Sequence, residues 1–575
     1  MINKRIAEMF NEIALMLQVK NENGFKFEIR AYQRGALTID SLQQDVGEIY
    51  AKQGLNGLMD LPGIGEGLAK KIEEFAKTGS MRKYDELKKE YPIDFKALTS
   101  IEGVGPKTAI QLYKKLGVKN LEDLKNAVES ESVRKLPGFG AKSEQAIKES
   151  ITMMESSKGR ITLGEALPEA EGIVKMLLDT GLVEKAVISG STRRMRETIG
   201  DIDILAISDK PEMVMDAFVK FKGVSSTIVK GPTKTTVWLD IGTSCDLRVI
   251  EPKSFGAALQ YFTGSKSHNI KVRTIAIKKG FKLNEYGLFG KDDSLISSLD
   301  EEVIYKKLGM QWMPPEMRED RGEVELARRN MIPKLVEYND ILGDLHTHTK
   351  DTDGINSIDE MADAAIKNGL RYFAVTNHTK SLRIAKGMNE MQFSKFFDRI
   401  DALNTALDGR IKILKGAEVD ILKDGRLDLD RKTLESMDCV VGAVHSNTNM
   451  DEKEMTKRIS KAMDSGFIDI LAHPTGRLIN EREGYRIDLD MIAECAERNG
   501  VALEINSYPK RLDLNDTNIM LASKYKVMFA IDTDAHNTDQ LSFMRYGLGT
   551  ARRGWLGRER ILNALPLDKL EMFLA

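Results

Sequence analysis

The sequence predicts a multidomain chain in which a helical region comes first, an α+β region follows, and a barrel of alternating strands and helices ends the chain. Three observations support this order. Glycine turns repeat before residue 150, two aspartates alternate on a strand near residue 200, and histidines end or follow five short apolar runs after residue 340. Because 575 residues exceed what one hydrophobic core can hold, we expect several domains.

The composition is that of a globular protein, with 42% hydrophobic and 30% charged residues, which excludes collagen-like and disordered classes. No apolar run approaches the ~20 residues that span a bilayer. Charges are spread through the N-terminal segment, unlike the apolar core of a signal peptide. Cys245, Cys439 and Cys495 have no paired spacing, so neither disulfides nor a cysteine zinc site is indicated. We expect a cytoplasmic chain with no membrane partner.

Three segments before residue 150 share an apolar residue, a Gly-x-Gly turn and a following helix, which is the helix-hairpin-helix pattern. The glycine pairs are Gly63 and Gly65, Gly103 and Gly105, and Gly138 and Gly140. Without a Cβ atom, such turns let backbone N–H groups at a helix N-terminus face a phosphate oxygen. One turn alone is more often a plain helix connection, but three favour contact with a DNA backbone without base readout.

The segment 190–207 predicts a site for divalent cations. Period-two geometry places Asp201 and Asp203 on one face of a strand, and Asp246 lies on a second alternating strand, SCDLRVI. Three carboxylates from neighbouring strands form an oxygen-rich site suited to Mg²⁺. We expect two Mg²⁺ ions there, with phosphoryl transfer as the chemistry.

Residues just before these aspartates suit the binding of phosphate. Gly190 and Ser191 form a strand-to-helix turn, and Arg193 and Arg194 add fork-shaped donors. Gly-Ser, an arginine pair and Asp-Ile-Asp within 14 residues are typical of nucleotidyltransferases. Downstream, the stretch 252–284 holds seven basic residues and no carboxylate, so it is either a phosphate-facing strip or a solvated basic face.

Residues 1–315 resemble the family X DNA polymerases of the DNA polymerase beta type, most specifically in the string DLRVIEPKSFGAALQYFTGSKSHNIKVRTIAIKKGFKLNEYGLF. The resemblance implies an α-helical helix-hairpin-helix N-terminal region and an α+β nucleotidyltransferase palm with a small α+β closing subdomain. The expected domains are an 8-kDa-like DNA-binding domain (1–90), a fingers-like subdomain (91–160), the palm (161–250), a thumb-like subdomain for the nascent base pair (251–315) and a charged linker (316–340).

The resemblance also implies roles for individual residues. Asp201, Asp203 and Asp246 bind the catalytic metals, with Asp246 nearest the primer 3′-hydroxyl, and Arg248 contacts DNA. The nucleotide is bound by residues of three kinds: triphosphate contacts at Arg160, Gly190, Ser191, Arg194 and Gly200, a sugar-facing turn at Tyr261, Phe262 and Gly264, and contacts to the new base or template minor groove at Asn269 and Arg273. Glu285 and Tyr286 belong to an Asn-Glu-Tyr (NEY) element that matches the hinge at which the thumb-like subdomain closes.

Lys71 follows the first glycine turn and is either an exposed helical lysine that lies near DNA or a Schiff-base nucleophile for a 5′-deoxyribose phosphate. Lys83 and Tyr32 match residues of the lyase-active relatives. Glu28 and Gly67 stand where those relatives carry lysines. We therefore expect lyase activity to be weak or absent.

After residue 340, strand-like and helix-like stretches alternate, and polar residues collect where the strands end. This pattern predicts a parallel barrel whose active face lies at the carboxyl ends of its strands. Single histidines are often packing residues, but six in equivalent positions favour a metal site. The predicted ligands are His346, His348, Asp353, His378, Glu418, His445, His473, Asp534 and His536. Nine nitrogen and oxygen ligands suggest two or three ions, with Mn²⁺, Zn²⁺ or Fe²⁺ favoured over Mg²⁺.

Residues 341–575 resemble the polymerase-and-histidinol-phosphatase (PHP) domain, a distorted (β/α)7 barrel, and every metal-ligand position is filled. Asn377 is a departure, because an aspartate often precedes the histidine there. The resemblance implies a Mn²⁺-stimulated 3′–5′ exonuclease or 3′-phosphoesterase, with incision at abasic sites as a further activity.

Together these patterns predict a repair enzyme, active as a monomer, that takes gapped or primer–template DNA and dNTPs as partners. Its front half fills short gaps, and its barrel processes DNA 3′ ends. Two alternatives stay open: the barrel is structural or hydrolyses small phosphomonoesters, or the whole chain is a helix-hairpin-helix scaffold that bridges DNA ends with vestigial catalysis. The complete aspartate triad argues against the scaffold.

Overall fold

Helices dominate the front of the chain, and sheets organise the rest. The computed structural model describes residues 2–20, 24–41, 45–61, 63–99, 101, 104–141, 143–145, 147–148, 151 and 160–574. The chain divides into two units, Met1–Lys158 and Gly159–Ala575. No helix in the described ranges is both long and apolar enough to cross a membrane.

The first unit consists of amphipathic helices around one hydrophobic core, which extends from Ile6 to Ile151. Its helices are α1 (Asn3–Lys20), α2 (Lys26–Ser41), α3 (Val46–Met59), α4 (Glu66–Thr78), α5 (Arg82–Glu90), α6 (Phe95–Thr99), α7 (Pro106–Leu116) and α8 (Leu121–Glu129), followed by a short 3-10 turn, Val133–Lys135. Gly65 and Gly105 are the N-cap residues of helices α4 and α7, and each of these helices is followed by a glycine in the left-handed conformation.

The palm region of the second unit is a five-stranded sheet with strand order β2-β4-β7-β6-β5. Its strands are β2 (Lys185–Ile188), β4 (Asp201–Ile207), β5 (Val224–Lys230), β6 (Lys234–Leu239) and β7 (Ser244–Ile250), and a short pair, β1 (Ile161–Thr162) and β3 (Thr198–Ile199), lies apart. The helices of this region are α9 (Leu163–Asp179), α10 (Gly190–Arg193) and α11 (Pro211–Phe218). Strands β4 and β7 are parallel neighbours, while the other pairs in this sheet are antiparallel.

The thumb-like region has helices before and after a small antiparallel sheet. Its elements are α12 (Phe255–Thr263), α13 (Lys266–Lys278), β8 (Lys282–Asn284), β9 (Gly287–Phe289), β10 (Leu295–Ser297) and α14 (Glu301–Lys307). Asn284 accepts hydrogen bonds from the backbone of Tyr286 and Gly287, so the NEY element forms the turn between β8 and β9.

The segment 316–340, predicted as a linker because of its charge, is packed into the second unit. It contains the helix α15 (Glu323–Arg328). Arg318 is fully buried and pairs with Glu301 at 2.6 Å, and the buried Glu323 contacts His268 at 2.7 Å. The linker interpretation was wrong for these residues because their charged side chains have partners inside the protein, and buried charges persist where they are paired or hydrogen-bonded.

The remaining residues form a seven-stranded parallel sheet in simple sequential order. Its strands are β11 (Gly343–Thr347), β12 (Tyr372–Val375), β13 (Lys412–Asp420), β14 (Cys439–Ala443), β15 (Ile470–Leu471), β16 (Ala502–Asn506) and β17 (Phe529–Asp532). A bridge between Thr347 and Ala535 brings the last strand to the first, so the sheet is a nearly closed barrel.

Helices connect and surround the barrel strands. They are α16 (Ile358–Lys367), α17 (Glu390–Leu407), α18 (Arg431–Leu434), α19 (Glu452–Met463), α20 (Leu489–Asn499), α21 (Asp516–Ala522), α22 (Met544–Arg553) and α23 (Leu567–Leu574). The palm packs directly against this barrel, since Ile479, Leu512 and Tyr546 belong to the hydrophobic core of the palm. The predicted fold class is confirmed.

Candidate functional site

The glycine turns of the first unit share one hydrogen-bond pattern. The backbone N–H of the residue between the two glycines donates to the carbonyl of the residue three positions earlier. The backbone N–H of the residue four positions after the second glycine donates to the carbonyl of that glycine. The three sets are Ile64 to Leu61 and Ala69 to Gly65, Val104 to Ile101 and Ala109 to Gly105, and Phe139 to Leu136 and Glu144 to Gly140. The repeated sequence motif therefore corresponds to a repeated structure.

The second glycine of each turn faces open space. A Cβ atom added at Gly65, Gly105 or Gly140 would meet nothing within 4 Å. Gly63 and Gly138 adopt positive φ values of 77° and 88°, which glycine tolerates best. Gly103 lies outside the described residues. An open turn at a helix N-terminus suits a phosphate oxygen.

The three predicted metal-binding aspartates lie on the two parallel strands of the palm. The register of β4 and β7 pairs Asp203 with Asp246 and Asp201 with Ser244. Asp201 is exposed, and Asp203 and Asp246 are half-buried. The structure thus brings the carboxylates to one end of adjacent strands, as a shared cation requires.

Neighbouring groups shape this aspartate cluster. Asp246 accepts a hydrogen bond from Thr236 at 2.6 Å and pairs with Lys234 at 2.9 Å. Gly190 has a positive φ of 60°, and a Cβ there would lie 2.1 Å from an Asp203 carboxylate oxygen. Gly190 is therefore required both for the turn and for the close approach of Asp203. Burial, together with Asp201 and Asp246, raises the pKa of Asp203 to about 7.

A cleft of about 640 Å³ opens beside Asp201 and Asp203. Nine of the ten predicted nucleotide contacts line it: Arg160, Gly190, Ser191, Arg194, Tyr261, Phe262, Gly264, Asn269 and Arg273. The tenth, Gly200, lies next to Arg160, whose guanidinium would be 2.8 Å from a Cβ at that position. The buried hydroxyl oxygen of Ser191 has no hydrogen-bond partner in the structure.

The two adjacent arginines of the palm turn have different roles. Arg194 lines the cleft, and its guanidinium donates to Glu319 at 3.1 Å. Arg193 instead donates to both carboxylate oxygens of Glu301 and to Thr263, so it joins the palm to the thumb-like region. Of the two arginines, only Arg194 belongs to the residues that line the cleft.

The predicted sugar- and base-facing residues form a connected edge of the cleft. Asn269 donates to the Tyr261 carbonyl at 2.7 Å, and Arg273 lies 5.9 Å from the Tyr261 ring. Arg248 lies outside the set that lines the cleft and stacks 4.6 Å from the Phe262 ring.

The basic strip at 252–284 is less uniform than its sequence indicates. Lys271 pairs with Asp320 and Glu325, and Lys253 pairs with Glu251. Lys266, in contrast, lines the cleft beside Asp201 and Asp203. The lysines of the strip therefore differ in their surroundings.

All nine predicted ligands of the barrel converge at the carboxyl ends of its strands. Glu418 lies at the centre, within 2.8 Å of His378, 3.0 Å of His473 and 3.1 Å of His445. Neighbouring pairs continue the cluster: His348 with Asp534 at 3.2 Å, His378 with Asp353 at 3.2 Å, His536 with Asp353 at 3.4 Å and His346 with Glu418 at 3.5 Å.

Three groups within this cluster have a geometry that could hold a metal ion. They are His348, Asp353, His378 and His536; His346, His348 and Asp534; and His378, Glu418 and His445. Several buried atoms in the same place lack a hydrogen-bond partner, namely His346 Nε2, both ring nitrogens of His348, the Nδ1 atoms of His378, His445 and His473, and Glu418 Oε2. Unpaired buried donors and acceptors at such density fit cations, and mixed imidazole and carboxylate ligands suit Mn²⁺ or Zn²⁺.

The electrostatics of the cluster support the same interpretation. Burial opposes protonation of His378, but Glu418 and Asp353 together raise its pKa to about 10. Burial and the neighbouring ring of His536 lower the pKa of His348 to about 4. Because the carboxylates hold protons on some imidazoles when no cation is present, metal binding at this site should release protons.

Comparisons with known proteins cover the whole chain. Family models match four regions: a helix-hairpin-helix domain at 1–81, a SAM-like helix-hairpin-helix tandem at 95–152, the DNA polymerase beta thumb at 258–319 and the PHP domain at 344–508. The DNA polymerase/3′-5′ exonuclease PolX of Bacillus subtilis (strain 168) is 37% identical over 577 residues, which cover 100% of this chain and 99% of that protein. The chain belongs to the PolX family. The predicted resemblance to family X polymerases with a PHP domain is confirmed.

Other relatives match only parts of this PolX family member. A probable phosphatase of Thermoanaerobacter sp. (strain X514) is 27% identical over 242 residues, covering 40% of this chain and 93% of the phosphatase. The polymerase beta of Leishmania infantum, solved as a ternary P/T complex, is 24% identical and covers 39% of this chain and 97% of its own, with a TM-score of 0.26.

One carboxylate that orients a barrel histidine was not predicted from the sequence. Glu504 on β16 contacts His346 Nδ1 at 2.6 Å. Such a partner fixes the ring orientation of a metal-binding histidine. The alternation of Glu504 with the apolar Leu503 and Ile505 was the available signal.

Asn377, the departure from the PHP pattern, is fully engaged in the structure. Its side-chain oxygen accepts hydrogen bonds from Thr349 and Thr352, and its amide nitrogen donates to the Thr349 hydroxyl. It supports the loop after β11 rather than contacting the histidine cluster, so we expect this substitution to leave the metal site intact.

One basic residue of the cleft, Arg196, was not predicted from the sequence, whereas Lys266 belongs to the basic strip at 252–284. Arg196 lines the cleft together with the predicted contacts and lies 3.6 Å from Glu319. A single basic residue in a loop carries no sequence signal of direction, so only the fold shows that it faces the cleft.

The raised pKa of Asp203 predicts a measurable change of stability with pH. Between its ordinary value of 3.8 and about 7, the folded protein holds a proton that the unfolded chain has lost, so this group lowers stability as pH rises. In EDTA, Asp203→Asn should therefore raise the melting temperature at pH 8, and the gain should shrink towards pH 5.

The matched control is Asp216→Asn. The hydrogen bond and charge of Lys230 lower the pKa of Asp216, so this control should not stabilise the protein at pH 8. Thermal unfolding of both variants and the unchanged chain at the two pH values checks the prediction. If the rise in melting temperature for Asp203→Asn is the same at pH 5 and pH 8, the pKa of Asp203 is not raised by its surroundings.

Proposed function

We propose that the chain extends DNA primers across short gaps, with Asp201, Asp203 and Asp246 binding two catalytic cations, and that its barrel removes nucleotides from DNA 3′ ends. The observation that carries the polymerase proposal is the parallel register of β4 and β7, which sets Asp203 opposite Asp246 beside a cleft lined by nine predicted nucleotide contacts. The full-length relationship to PolX supports both activities in one chain.

Within the polymerase site, the residues of the chain bind and orient the reactants. When bound, Mg²⁺ ions supply Lewis-acid stabilisation of phosphoryl oxygens. In this proposal Ser191 and Arg194 bind the triphosphate of a dNTP, and the turn at Tyr261 and Phe262 contacts its sugar; all four residues line the cleft. Lys234 pairs with Asp246 at 2.9 Å and neutralises part of the negative charge of this carboxylate.

In the barrel, six histidines and three carboxylates would hold two or three Mn²⁺ or Zn²⁺ ions. These cations supply charge neutralisation for a phosphodiester and favour ionisation of a nucleophilic water. Glu504 positions the ring of His346. Arg511, 3.7 Å from Asp534 and partly exposed, adds positive charge at the edge of the site. The arrangement supports 3′–5′ hydrolysis of DNA, and incision at abasic sites requires the same chemistry.

The test is a gapped duplex with a 5′-labelled primer, incubated with and without dNTPs in Mg²⁺ and then in Mn²⁺. We expect extension when dNTPs are present and shortening, stronger in Mn²⁺, when they are absent. A primer that is neither extended nor shortened by protein shown to be folded would contradict the proposal.

A second candidate for the barrel is hydrolysis of small phosphomonoesters, favoured by the probable phosphatases that match this region. Rates on labelled DNA and on p-nitrophenyl phosphate separate the two candidates. DNA hydrolysis that is much faster than phosphomonoester hydrolysis at matched concentrations supports the DNA substrate, and the reverse order supports the phosphatase.

We also propose that the lyase reaction is weak or absent. The ammonium group of Lys71 donates to the Gly67 carbonyl at 3.1 Å and lies 5.6 Å from the Tyr32 ring. With Glu28 and Gly67 where lysines are found in lyase-active relatives, this surface carries less positive charge to hold a 5′-phosphate. Borohydride trapping on incised abasic DNA should give little covalent adduct, and an abundant adduct lost in Lys71→Ala would contradict the proposal.

A further inference from the structure

A helix of the barrel lies against the palm segment that contains Arg194 and Met195. Helix α22 (Met544–Arg553) contacts Met195, which follows Arg194 and adopts a positive φ of 52°. A Cβ atom added at Gly549 would lie 2.6 Å from the Met195 side chain. At the end of the same helix, the guanidinium of Arg553 donates to the Arg194 carbonyl at 2.8 Å.

Arg553 and Arg194 also share one buried carboxylate. Glu319 accepts hydrogen bonds from Arg553 and from Arg194, each at 3.1 Å. Arg553 is 4% exposed and Arg194 is 8% exposed, so these contacts are shielded from water. Charge-assisted hydrogen bonds between buried groups are strong and directional. The Nη2 atom of Arg553 donates to Asp516 at 2.6 Å, and this hydrogen bond fixes the guanidinium to the barrel.

These contacts leave Arg194 little freedom. Its Nε atom donates to Glu319 and its Nη1 atom donates to the Thr263 carbonyl, which together fix the plane of the guanidinium. A planar fork held in this way binds a phosphate with little further loss of conformational entropy. Part of the holding network comes from the barrel rather than the polymerase region.

We propose that Arg553 is a positioning residue of the polymerase site, through which the barrel helix α22 holds Arg194 in place for the triphosphate of the incoming nucleotide. The inference rests on the proposed role of Arg194 in binding dNTPs. It implies that the barrel contributes to nucleotide affinity in addition to its own chemistry.

The test compares steady-state nucleotide incorporation by Arg553→Gln, Arg553→Lys and the unchanged full-length chain. We expect KM for dNTP to rise about tenfold in Arg553→Gln, the scale of one lost charge-assisted hydrogen bond. Arg553→Lys, which keeps the charge, should recover part of this loss. Primer–template Kd and the rate of 3′ degradation should change by less than about twofold, a margin within the scatter of such measurements.

Arg545→Ala is the matched control, because Arg545 lies on the same helix and pairs with Glu171 of the palm at 3.0 Å but does not contact Arg194 or Glu319. It should leave KM for dNTP unchanged. If Arg553→Gln fails to fold, Glu319→Gln weakens the same link from the polymerase side and should raise KM in the same direction.

Two results would overturn the inference: an unchanged KM in a folded Arg553→Gln or Glu319→Gln variant, or an equal fall of polymerase and exonuclease rates, which would indicate a purely structural role. Arg194→Ala separates this from the proposed function. If Arg194→Ala leaves KM for dNTP unchanged, the proposed role of Arg194 fails; if it raises KM while the Arg553 variants do not, only the inference about the barrel fails.

Discussion

Replacing both Asp201 and Asp203 with alanine should abolish nucleotide addition and leave degradation from the 3′ end intact. Single preorganised electrostatic groups are worth on the order of 10²–10³ in rate, so we expect the loss of two to lower incorporation by at least about 10³-fold. The substitutions remove mutually repelling carboxylates in the metal-free protein, which argues that the variant folds.

Retained 3′ degradation is the internal control for folding in this experiment, because the palm and the barrel pack within one unit. Extension and shortening of a 5′-labelled primer on one gel give both rates. If the double variant loses both activities while its melting temperature is unchanged, the assignment of separate sites to the two reactions is wrong.

The reciprocal change, His346→Ala with His348→Ala, should stop 3′ degradation and spare synthesis. Both imidazoles belong to a group that could hold a metal ion with Asp534. Loss of an outer-shell partner of a metal ligand already lowers metal affinity or activity about 10–100-fold, so loss of two ligands should exceed about 100-fold.

This histidine pair is buried, and its removal deprives Glu504 of its 2.6 Å contact with His346 Nδ1, so folding must be measured. Asn377→Asp offers a matched change next to the cluster that restores the residue common in PHP domains, and it should keep degradation within a fewfold of the unchanged chain. Persistent degradation by the double histidine variant would place the nuclease outside the barrel.

The sequence was sufficient to predict that the proposed ligands of each site would lie close together. Strand periodicity placed Asp201 and Asp203 on one face, and the recurrence of polar residues at strand ends placed nine potential ligands at one end of a barrel. These signals are local. Each depends on a few neighbouring residues, and the fold positions them as the pattern predicts.

Features that depend on long-range pairing could not be predicted in this way. The contact of Arg193 with Glu301 spans 108 positions, and it distinguishes that arginine from its neighbour Arg194. The segment 316–340 resembles a linker until its charged residues are matched with buried partners such as Glu301 and His268. Likewise, nothing local to Arg553 indicates that it reaches Arg194, 359 positions away.

The central claim is that two separate groups of side chains each bind catalytic cations. Anomalous diffraction from Mn²⁺-soaked crystals with primer–template DNA and a non-hydrolysable dNTP tests it most directly. We expect peaks beside Asp201, Asp203 and Asp246, and two or three further peaks among the barrel histidines. With nucleotide bound, the absence of any peak at the aspartates, or barrel peaks that do not contact His346 and His348, would contradict the account.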